Sequence, residues 1–119
     1  MKKIYVIQEH HARRLHWDLR LEMNGVLKSW ALPKEPPREK GIKRLAIQVE
    51  DHELSYADFE GIIPEGFYGA GKVKIWDKGT YGLIEKDEKK IVFEIFGKKL
   101  RGKYCLVKMK ENKWLFFKI

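Results

Sequence analysis

The feature that most restricts the fold is the stretch 16–23, in which polar and apolar side chains alternate without exception. Successive side chains of an extended strand point to opposite faces, so Trp17 and every second residue after it share one face. Asn24-Gly25 follows directly, and this pair is typical of a type I′ turn, in which both central residues have positive φ. The pattern therefore predicts a β-hairpin whose second strand covers residues 26–32.

The rest of the chain continues as short β-rich segments separated by turn residues. Further strands are predicted at 45–50, 73–76, 80–85, 91–96, 103–110 and 114–119, with turns at 77–79, 87–89, 97 and 111–112. A short turn or helix is expected at 56–60, and no segment has an apolar period of 3.6 long enough for a major helix. The expected fold is all-β, a compact single-domain antiparallel β-barrel with at most short helical turns.

Apolar side chains that alternate with polar ones identify the candidate core. In the strand 45–50 we expect Leu45, Ile47 and Val49 to form the core face. The tryptophans show the same alternation, which favours the core over stacking on bases. They are Trp17, Trp30, Trp76 and Trp114.

Length and charge restrict the class of protein. The chain has 119 residues, which predicts one domain over 1–119, and 25 Lys plus Arg against 17 Asp plus Glu, a net charge of +8. That charge favours a polyanionic partner, although a basic surface without such a partner is also common. The lone Cys105 fits a reducing cytoplasm. The apolar stretch 4–7 ends at Gln8, so we expect neither export nor a membrane span.

A cluster of histidines suggests a metal site. His10, His11 and His16 lie within seven residues, and Asp18 follows. Two imidazoles and a carboxylate can hold a divalent ion and leave positions open for water and substrate. The spacing puts His16 and Asp18 on one strand face, and His10 would approach from the preceding strand or turn. The structural alternative is a solvent-facing strand side on which His16 and Asp18 only pair with each other.

Two further side chains suggest that the ligand is a phosphate ester. Arg20 lies on the face of Asp18 and is suited to forked hydrogen bonds with a phosphate, although a salt bridge with Glu22 or Asp18 is the alternative. His52 follows a predicted strand end, where catalytic side chains often lie. Metal-activated water is favoured over a serine nucleophile, because no glycine elbow surrounds Ser55.

The glycine-rich stretch 66–71 predicts a tight bend with close backbone approach. It lacks the lysine of a P-loop, so a nucleotide cradle is disfavoured. Phe67 and Tyr68 lie between its glycines and are better candidates than the tryptophans for stacking on bases. The lysines of 86–90 and 98–103 are expected to form a solvated surface that attracts nucleic acid nonspecifically.

Four segments taken together resemble a known family: residues 7–22, 27–34, 50–61 and 63–71. They contain, in order, His-Trp-Asp-Leu-Arg-Leu-Glu, Leu-Lys-Ser-Trp-Ala-Leu-Pro-Lys, Glu-Asp-His-Glu-Leu-Ser-Tyr and Ile-Pro-Glu-Gly-Phe-Tyr-Gly-Ala-Gly. These strings are similar to the 3′-phosphoesterase domain of bacterial DNA ligase D. Because no ligase or polymerase module is attached, the chain looks like the free-standing archaeal members of that family.

The resemblance implies a compact β-barrel enzyme, preferring manganese, that processes the 3′ ends of DNA for end joining. Such an enzyme removes a 3′-terminal ribonucleoside to leave a 3′-phosphate, and can then remove that phosphate to leave a 3′-hydroxyl. Zn²⁺ or Co²⁺ are alternative cofactors. The implied metal ligands are His10, His16 and Asp18. The implied phosphate contacts are Arg20, Lys34 and His52. The implied catalytic residues are His52, Arg20 and Tyr56, and the roles of Glu22 and Ser29 stay open.

Two departures from the family pattern affect these expectations. His11 stands where many relatives have aspartate and is an alternative metal ligand. A longer N-terminal arm present in larger relatives is expected to be absent, which would weaken phosphomonoesterase activity or alter the preferred ends.

The expected partners are DNA or RNA-ended primer-template 3′ ends and a separate DNA ligase or polymerase of the repair pathway. No membrane is expected, the location is cytoplasmic, and a monomer is expected. Two other functions compete, namely a noncatalytic nucleic-acid-binding barrel with a structural metal, and a small-molecule phosphatase. Four closed ligands would favour the structural metal, whereas three ligands with an open side favour catalysis.

Overall fold

A computed structural model describes residues 2–119 of the chain. The strands are β1 (Lys3–His11), β2 (Leu15–Met23), β3 (Val26–Leu32), β4 (Lys43–His52), β5 (Gly61–Ile63), β6 (Gly71–Lys86), β7 (Lys90–Phe96), β8 (Arg101–Lys110) and β9 (Lys113–Lys118). A 3₁₀ helix at Leu54–Asp58 follows β4. It overlaps the segment in which a short turn or helix is predicted.

The strands form one antiparallel sheet that closes on itself. Hydrogen-bonded neighbours follow the order β1-β2-β3-β4-β9-β8-β7-β6, and β6 also pairs with β1, so eight strands complete the ring. The short β5 lies outside the ring, paired with the first residues of β6. Closure leaves few unpaired strand edges. The predicted antiparallel β-barrel is confirmed, and no α-helix occurs within residues 2–119.

The barrel interior holds the main core. Every strand of the ring contributes to one cluster of buried side chains, which includes all four tryptophans as predicted. The largest fully buried members are Trp30, Tyr5, Tyr81, Tyr104, Phe93 and Phe116. Cys105 is buried on β8. Burial of this much aromatic surface accounts for the stability of a barrel of this size.

The β2–β3 hairpin has the predicted turn. Asn24 has φ 52° and Gly25 has φ 81°, so both central residues lie in the left-handed region that a type I′ turn needs. The turn sets the register in which Arg20 faces Ser29 and Asp18 faces Ala31. The even-numbered face of β2 is therefore aligned with one face of β3.

The predicted turn at 77–79 is wrong, because β6 runs without interruption for 16 residues. The register of β6 against β1 shifts between Ile7 and Gln8, so this segment forms an irregularity within a strand. Asp77 is buried there, and its carboxylate accepts hydrogen bonds from the backbone N–H groups of 98–100. These contacts to a distant loop hold the segment extended, although its local composition favours a turn.

The predicted core face of β4 is also wrong. Leu45 is 42% exposed, and Ile47 and Val49 are only half-buried. Ala46 is the fully buried residue of this strand and belongs to the barrel core. The large apolar residues of β4 therefore lie on the outer face of the barrel wall.

The reason for this reversal is the size of the neighbouring side chains. The rings of Trp30 and Trp114 lie 5.8 Å apart in the interior next to β4. Trp114 Nε1 also donates a hydrogen bond to Gln48 Oε1 at 3.1 Å, which satisfies both groups. Two indoles leave β4 room for a small residue, so Ala46 faces inward.

The 3₁₀ helix covers part of the outer face of the barrel. Val6, Leu27 and Ala57 form a second, smaller buried cluster between this helix and strands β1 and β3. The even-numbered face of β2, predicted as polar, is consequently not open to solvent: Asp18 and Arg20 are buried. No helix within residues 2–119 has the length and hydropathy needed to cross a membrane.

Candidate metal centre

The candidate metal ligands lie on the outer face of the barrel wall. His10 on β1 is directly opposite His16 on β2 in the strand register, and Asp18 follows His16 on the same face. All three line a cavity of about 410 Å³ between the wall and the segment that contains the 3₁₀ helix and the glycine-rich loop. His10 and Asp18 are 8% and 5% exposed, whereas His16 is half-buried at the cavity.

The three side chains converge on one point. His10 Nδ1 lies 3.6 Å from Asp18 Oδ2, and His16 Nε2 lies 3.3 Å from the same oxygen. One ligand atom from each residue falls within 4.8 Å of the others. Ligand atoms that share one divalent ion at about 2.0–2.2 Å are separated by roughly 3.0–3.6 Å, and both distances to Asp18 Oδ2 fall in that range.

Backbone carbonyls fix both imidazoles in the orientation that a metal needs. His10 Nε2 lies 2.6 Å from the carbonyl oxygen of Gly69, and His16 Nδ1 lies 3.0 Å from that of Arg14. A carbonyl oxygen only accepts, so these two nitrogens carry the ring protons. The other nitrogen of each ring faces Asp18 and is the atom that would bind a metal ion, as in metal sites whose histidines are held by a second hydrogen bond.

This donor set fits a divalent cation. Two imidazole nitrogens and a carboxylate oxygen that face one another need a positive charge between them, which either a ring proton or a metal ion supplies. Consistent with this, the interaction with Asp18 raises the pKa of His16. Two nitrogens and one oxygen suit Mn²⁺, Zn²⁺, Co²⁺ and similar ions, and the cavity in front of them leaves room for further ligands.

The electrostatics of the site favour an ionised Asp18. Burial would raise the pKa of its carboxyl group, but the facing imidazoles of His10 and His16 and the charge of Arg20 outweigh burial and hold that pKa well below its usual range. The carboxylate is therefore negative at any physiological pH and ready to bind a cation.

Arg20 lies next to the three candidate ligands and is 4% exposed. Its Nε donates to Gln8 Oε1 at 2.6 Å and one terminal nitrogen donates to Ser29 Oγ at 2.8 Å. The other terminal nitrogen is 3.5 Å from Asp18 Oδ2, and Arg20 lines the cavity. The guanidinium is thus held rigidly from behind and keeps N–H groups for an anion in the cavity.

Gln8 is a component of the site that the sequence analysis missed. It is fully buried, and its Nε2 donates to the backbone carbonyls of Tyr56 and Phe59 at 2.8 and 3.2 Å. Together with its bond to Arg20, this amide connects the barrel wall to the covering 3₁₀ helix. One feature of the sequence could have identified it. Gln8 lies two residues before His10, so both side chains point to the same face of β1.

His52 and Tyr56 line the other side of the cavity. Their rings lie 4.6 Å apart, and Tyr56 also stacks on Phe59 and lies under the Arg20 guanidinium, 5.0 Å from it. Burial and the charge of Arg20 lower the pKa of His52, so its imidazole is neutral at pH 7. Asp51, the residue before His52, accepts a hydrogen bond from Lys28 at the surface.

Two of the other candidate residues lie outside this group. His11 points away from the cavity and pairs with Glu9, with 2.6 Å between Nε2 and Oε2, so the structure separates it from His10. Lys34 is exposed just after β3, and the cavity lining does not include it. Its contact with phosphate stays a prediction. Ser29 holds Arg20, and Glu22 Oε1 accepts a hydrogen bond from the backbone of Ile4.

A β-barrel with two histidines, an aspartate and a rigidly held arginine at one outer cavity defines a class: a barrel domain with a candidate divalent-metal site suited to phosphate esters. Comparison with protein families agrees with that class. The chain belongs to the family described as the DNA Ligase D 3′-phosphoesterase domain, whose profile matches residues 8–108. Membership makes it a phosphoesterase domain, a hydrolase class. The resemblance noted in the sequence is thereby confirmed at the level of the family.

Several characterised proteins contain a similar segment. The chain is 49% identical over 115 residues to the multifunctional non-homologous end joining protein LigD of Mycobacterium bovis, covering 93% of this chain. It is 46% identical over 123 residues to the LigD of Pseudomonas aeruginosa, covering 96% of this chain. In both cases the match spans 15% of the relative's length, so it corresponds to one portion of a much longer protein.

Proposed function

We propose that the chain is a metal-dependent phosphoesterase that trims the 3′ ends of DNA before ligation. It removes 3′-terminal ribonucleosides as a phosphodiesterase and 3′-phosphates as a phosphomonoesterase. The observation that carries this proposal is the convergence of His10, His16 and Asp18 on one point beside Arg20 in a single cavity. The relatives are named as non-homologous end joining proteins, which supports DNA ends as the substrate.

In this mechanism the chain's side chains bind and orient the phosphate. His10, His16 and Asp18 would hold a divalent ion, with Mn²⁺ the preferred one, and such an ion would supply Lewis-acid chemistry toward a phosphoryl oxygen. Arg20 donates hydrogen bonds to the equatorial oxygens, on which negative charge accumulates in the transition state. His52, neutral at pH 7, donates a hydrogen bond from its ring N–H to the same phosphate.

The bond changes are those of hydrolysis. In the phosphodiesterase step an oxygen nucleophile attacks phosphorus and the bond to O5′ of the departing nucleoside breaks, which leaves a 3′-phosphate on the primer. In the phosphomonoesterase step water attacks the remaining phosphate and the bond to O3′ breaks. Neither step requires a covalent bond to the enzyme.

A structural metal in a noncatalytic barrel is disfavoured by the geometry. Three candidate protein ligands face a cavity, and His11, the nearby histidine that could have been a fourth ligand, pairs with Glu9 instead. Structural sites are usually closed by four protein ligands, whereas catalytic sites keep a position open.

We propose further that the domain acts in the cytoplasm, as a monomer, beside a DNA ligase or polymerase. The similarity to free-standing archaeal members of the family stays a prediction.

The proposal is tested with a labelled primer-template that ends in one ribonucleotide, incubated with and without Mn²⁺. We expect conversion first to a 3′-phosphate and then to a 3′-hydroxyl, and we expect chelation to stop both steps. His16→Ala should lose metal binding in calorimetry and lose both activities. His52→Ala should keep metal binding but lose about 10²-fold or more in the single-turnover rate. Full activity of His16→Ala in metal-free buffer would refute the mechanism.

A further inference from the structure

The loop beside the metal centre carries unusually exposed apolar side chains. Within residues 2–119 the three most exposed large apolar residues are Ile62, Phe67 and Tyr68, at 74%, 67% and 98%. They fall within seven residues of one another in the sequence. Single exposed apolar side chains are common, but several in one short segment usually mark a contact surface.

The backbone of this loop is held in place by its glycines. The N–H of Ala70 donates to the carbonyl of Phe67 at 3.1 Å, which makes 67–70 a β-turn with Tyr68 and Gly69 at its centre. Gly69 has φ 76°, as the third residue of a type II turn requires. A Cβ at Gly71 would collide with the carbonyl of His11, so the loop needs a glycine there to approach β1.

The same turn connects the exposed aromatic pair to the metal centre. The carbonyl of Gly69 accepts the hydrogen bond from His10 that orients this ligand, and Tyr68 is the preceding residue. Both Tyr68 and Gly69 line the cavity that contains Asp18 and Arg20. The phenol ring of Tyr68 is therefore exposed to solvent at the mouth of the cavity. The hydrogen bond between His10 and Gly69 holds the backbone next to it.

We propose that Tyr68, with Phe67 beside it, is a stacking platform for the nucleobase at the 3′ end whose phosphate lies in the cavity. The inference rests on the proposed function and adds a base-binding element to it. An aromatic ring stacks on any base because every base has a π face. Tyr68 is 98% exposed and contributes almost nothing to the core, so its ring is accessible to a ligand.

Charge near the loop favours a nucleic acid over a protein partner. Arg13 and Arg14 are exposed in the turn between β1 and β2, next to Ala12, which lines the same cavity. Ala12 also lies against Gly71, so this basic turn and the aromatic loop are neighbours. Basic side chains interleaved with exposed aromatic rings are typical of surfaces that bind unpaired nucleotides.

Two substrates that differ only in the terminal base test the inference. One primer ends in a ribonucleotide with its base, and the other ends in the corresponding abasic ribose. For the unmodified protein we expect kcat/KM to be about 10-fold higher for the base-bearing end, mainly through KM, since stacking acts on binding. Tyr68→Ala should remove this preference, whereas Tyr68→Phe should retain it because the π face is kept.

Met109→Ala is the matched control, because Met109 is 60% exposed on β8 and the lining of the cavity does not include it. It should behave as the unmodified protein. Equal kcat/KM for both ends, or a preference that survives Tyr68→Ala, would overturn the platform and leave a protein partner as the occupant of this loop.

A binding measurement separates this inference from the proposed function. Fluorescence anisotropy with the same two primers in chelator reports binding without turnover. A base preference that depends on Tyr68 supports the platform even if neither primer is cleaved, which would refute only the phosphoesterase function. Cleavage of both primers without any base preference would refute only the platform.

Discussion

Asp18 and Asp77 are both almost fully buried, at 5% and 4% exposure, yet their surroundings differ in kind. The carboxylate of Asp77 accepts three successive backbone N–H groups, those of 98–100, and the hydroxyl of Tyr5, all at 2.9–3.0 Å. Asp18 faces side-chain nitrogens that stay 3.3–3.6 Å away. The carboxylate of Asp77 is fully hydrogen-bonded, whereas the carboxylate of Asp18 lies at an open cavity.

The comparison shows that burial of an acid does not by itself identify a functional group. A carboxylate surrounded by short backbone hydrogen bonds connects distant segments, and here Asp77 ties β6 to the loop before β8. A carboxylate oxygen that lies 3.3–3.6 Å from two imidazole nitrogens has the spacing of atoms that share one ion. Completeness of hydrogen bonding therefore distinguishes the structural aspartate from the functional one.

Asp18→Asn should give the largest effect on function. Loss of the negative charge removes the attraction for a cation between His10 and His16, so we expect metal affinity to fall by more than 10²-fold and activity by about 10³-fold. Calorimetric titration with Mn²⁺ and single-turnover cleavage measure the two losses, and circular dichroism should show a folded protein at 25 °C. If Asp18→Asn binds Mn²⁺ normally, Asp18 is not the metal-binding aspartate that the comparison with Asp77 assumes.

Asp77→Ala should instead reduce stability. Three backbone N–H groups and the Tyr5 hydroxyl lose their acceptor, and we expect the free energy of unfolding to fall by about 3 kcal/mol. Urea unfolding followed by tryptophan fluorescence measures this change. The remaining folded protein should bind Mn²⁺ and turn over as the unmodified protein does. If Asp77→Ala loses activity without losing stability, the assignment of a structural role to Asp77 and a functional role to Asp18 is contradicted.

Arg20→Lys keeps a positive charge in the site but loses the geometry of the guanidinium. A single ammonium cannot donate to Gln8 and Ser29 and at the same time contact a phosphate, so we expect about a 10–10²-fold loss of kcat with metal affinity retained. Single-turnover kinetics beside calorimetry check both parts. Normal turnover would place the bound phosphate away from Arg20.

The smallest effect concerns the protonation of His52. Burial and the charge of Arg20 lower its pKa below the ordinary value of 6.5, so the neutral ring is favoured in the folded protein. The unfolded chain then binds more protons as pH falls through 6.5, and this residue's contribution to stability is present above 6.5 and declines below it. NMR titration should give a midpoint below 6.5 that moves up in Arg20→Met. An unchanged midpoint in that variant would contradict the coupling.

Local geometry explains why much of the fold and part of the site could be predicted. The alternation in β2 has a period of two, which puts His16, Asp18 and Arg20 on one face whatever the rest of the chain does. Asn24-Gly25 and the glycines of 66–71 identify a turn and a bend because few other residues adopt positive φ. The motif pattern also identifies the family, since several short strings in one order rarely coincide.

Two predictions failed because distant contacts outweighed local preference. The segment 77–79 has the composition of a turn, but the hydrogen bonds that Asp77 accepts from the backbone of another loop keep it in a strand. The alternation of side chains in β4 defines two faces of the strand but does not indicate which of them points into the barrel. That choice depends on the space left by Trp30 and Trp114, which come from other strands.

The sequence by itself determined the β-barrel class, the β2–β3 hairpin and the shared face of His16, Asp18 and Arg20, because these depend on backbone period and turn conformation. Only the tertiary structure decided that this face is covered, that His10 rather than His11 joins it, and that His52 closes the same cavity. It also decided which carbonyls orient the two imidazoles. The reason is physical: these relations join residues far apart in the chain, and strand register and packing set them.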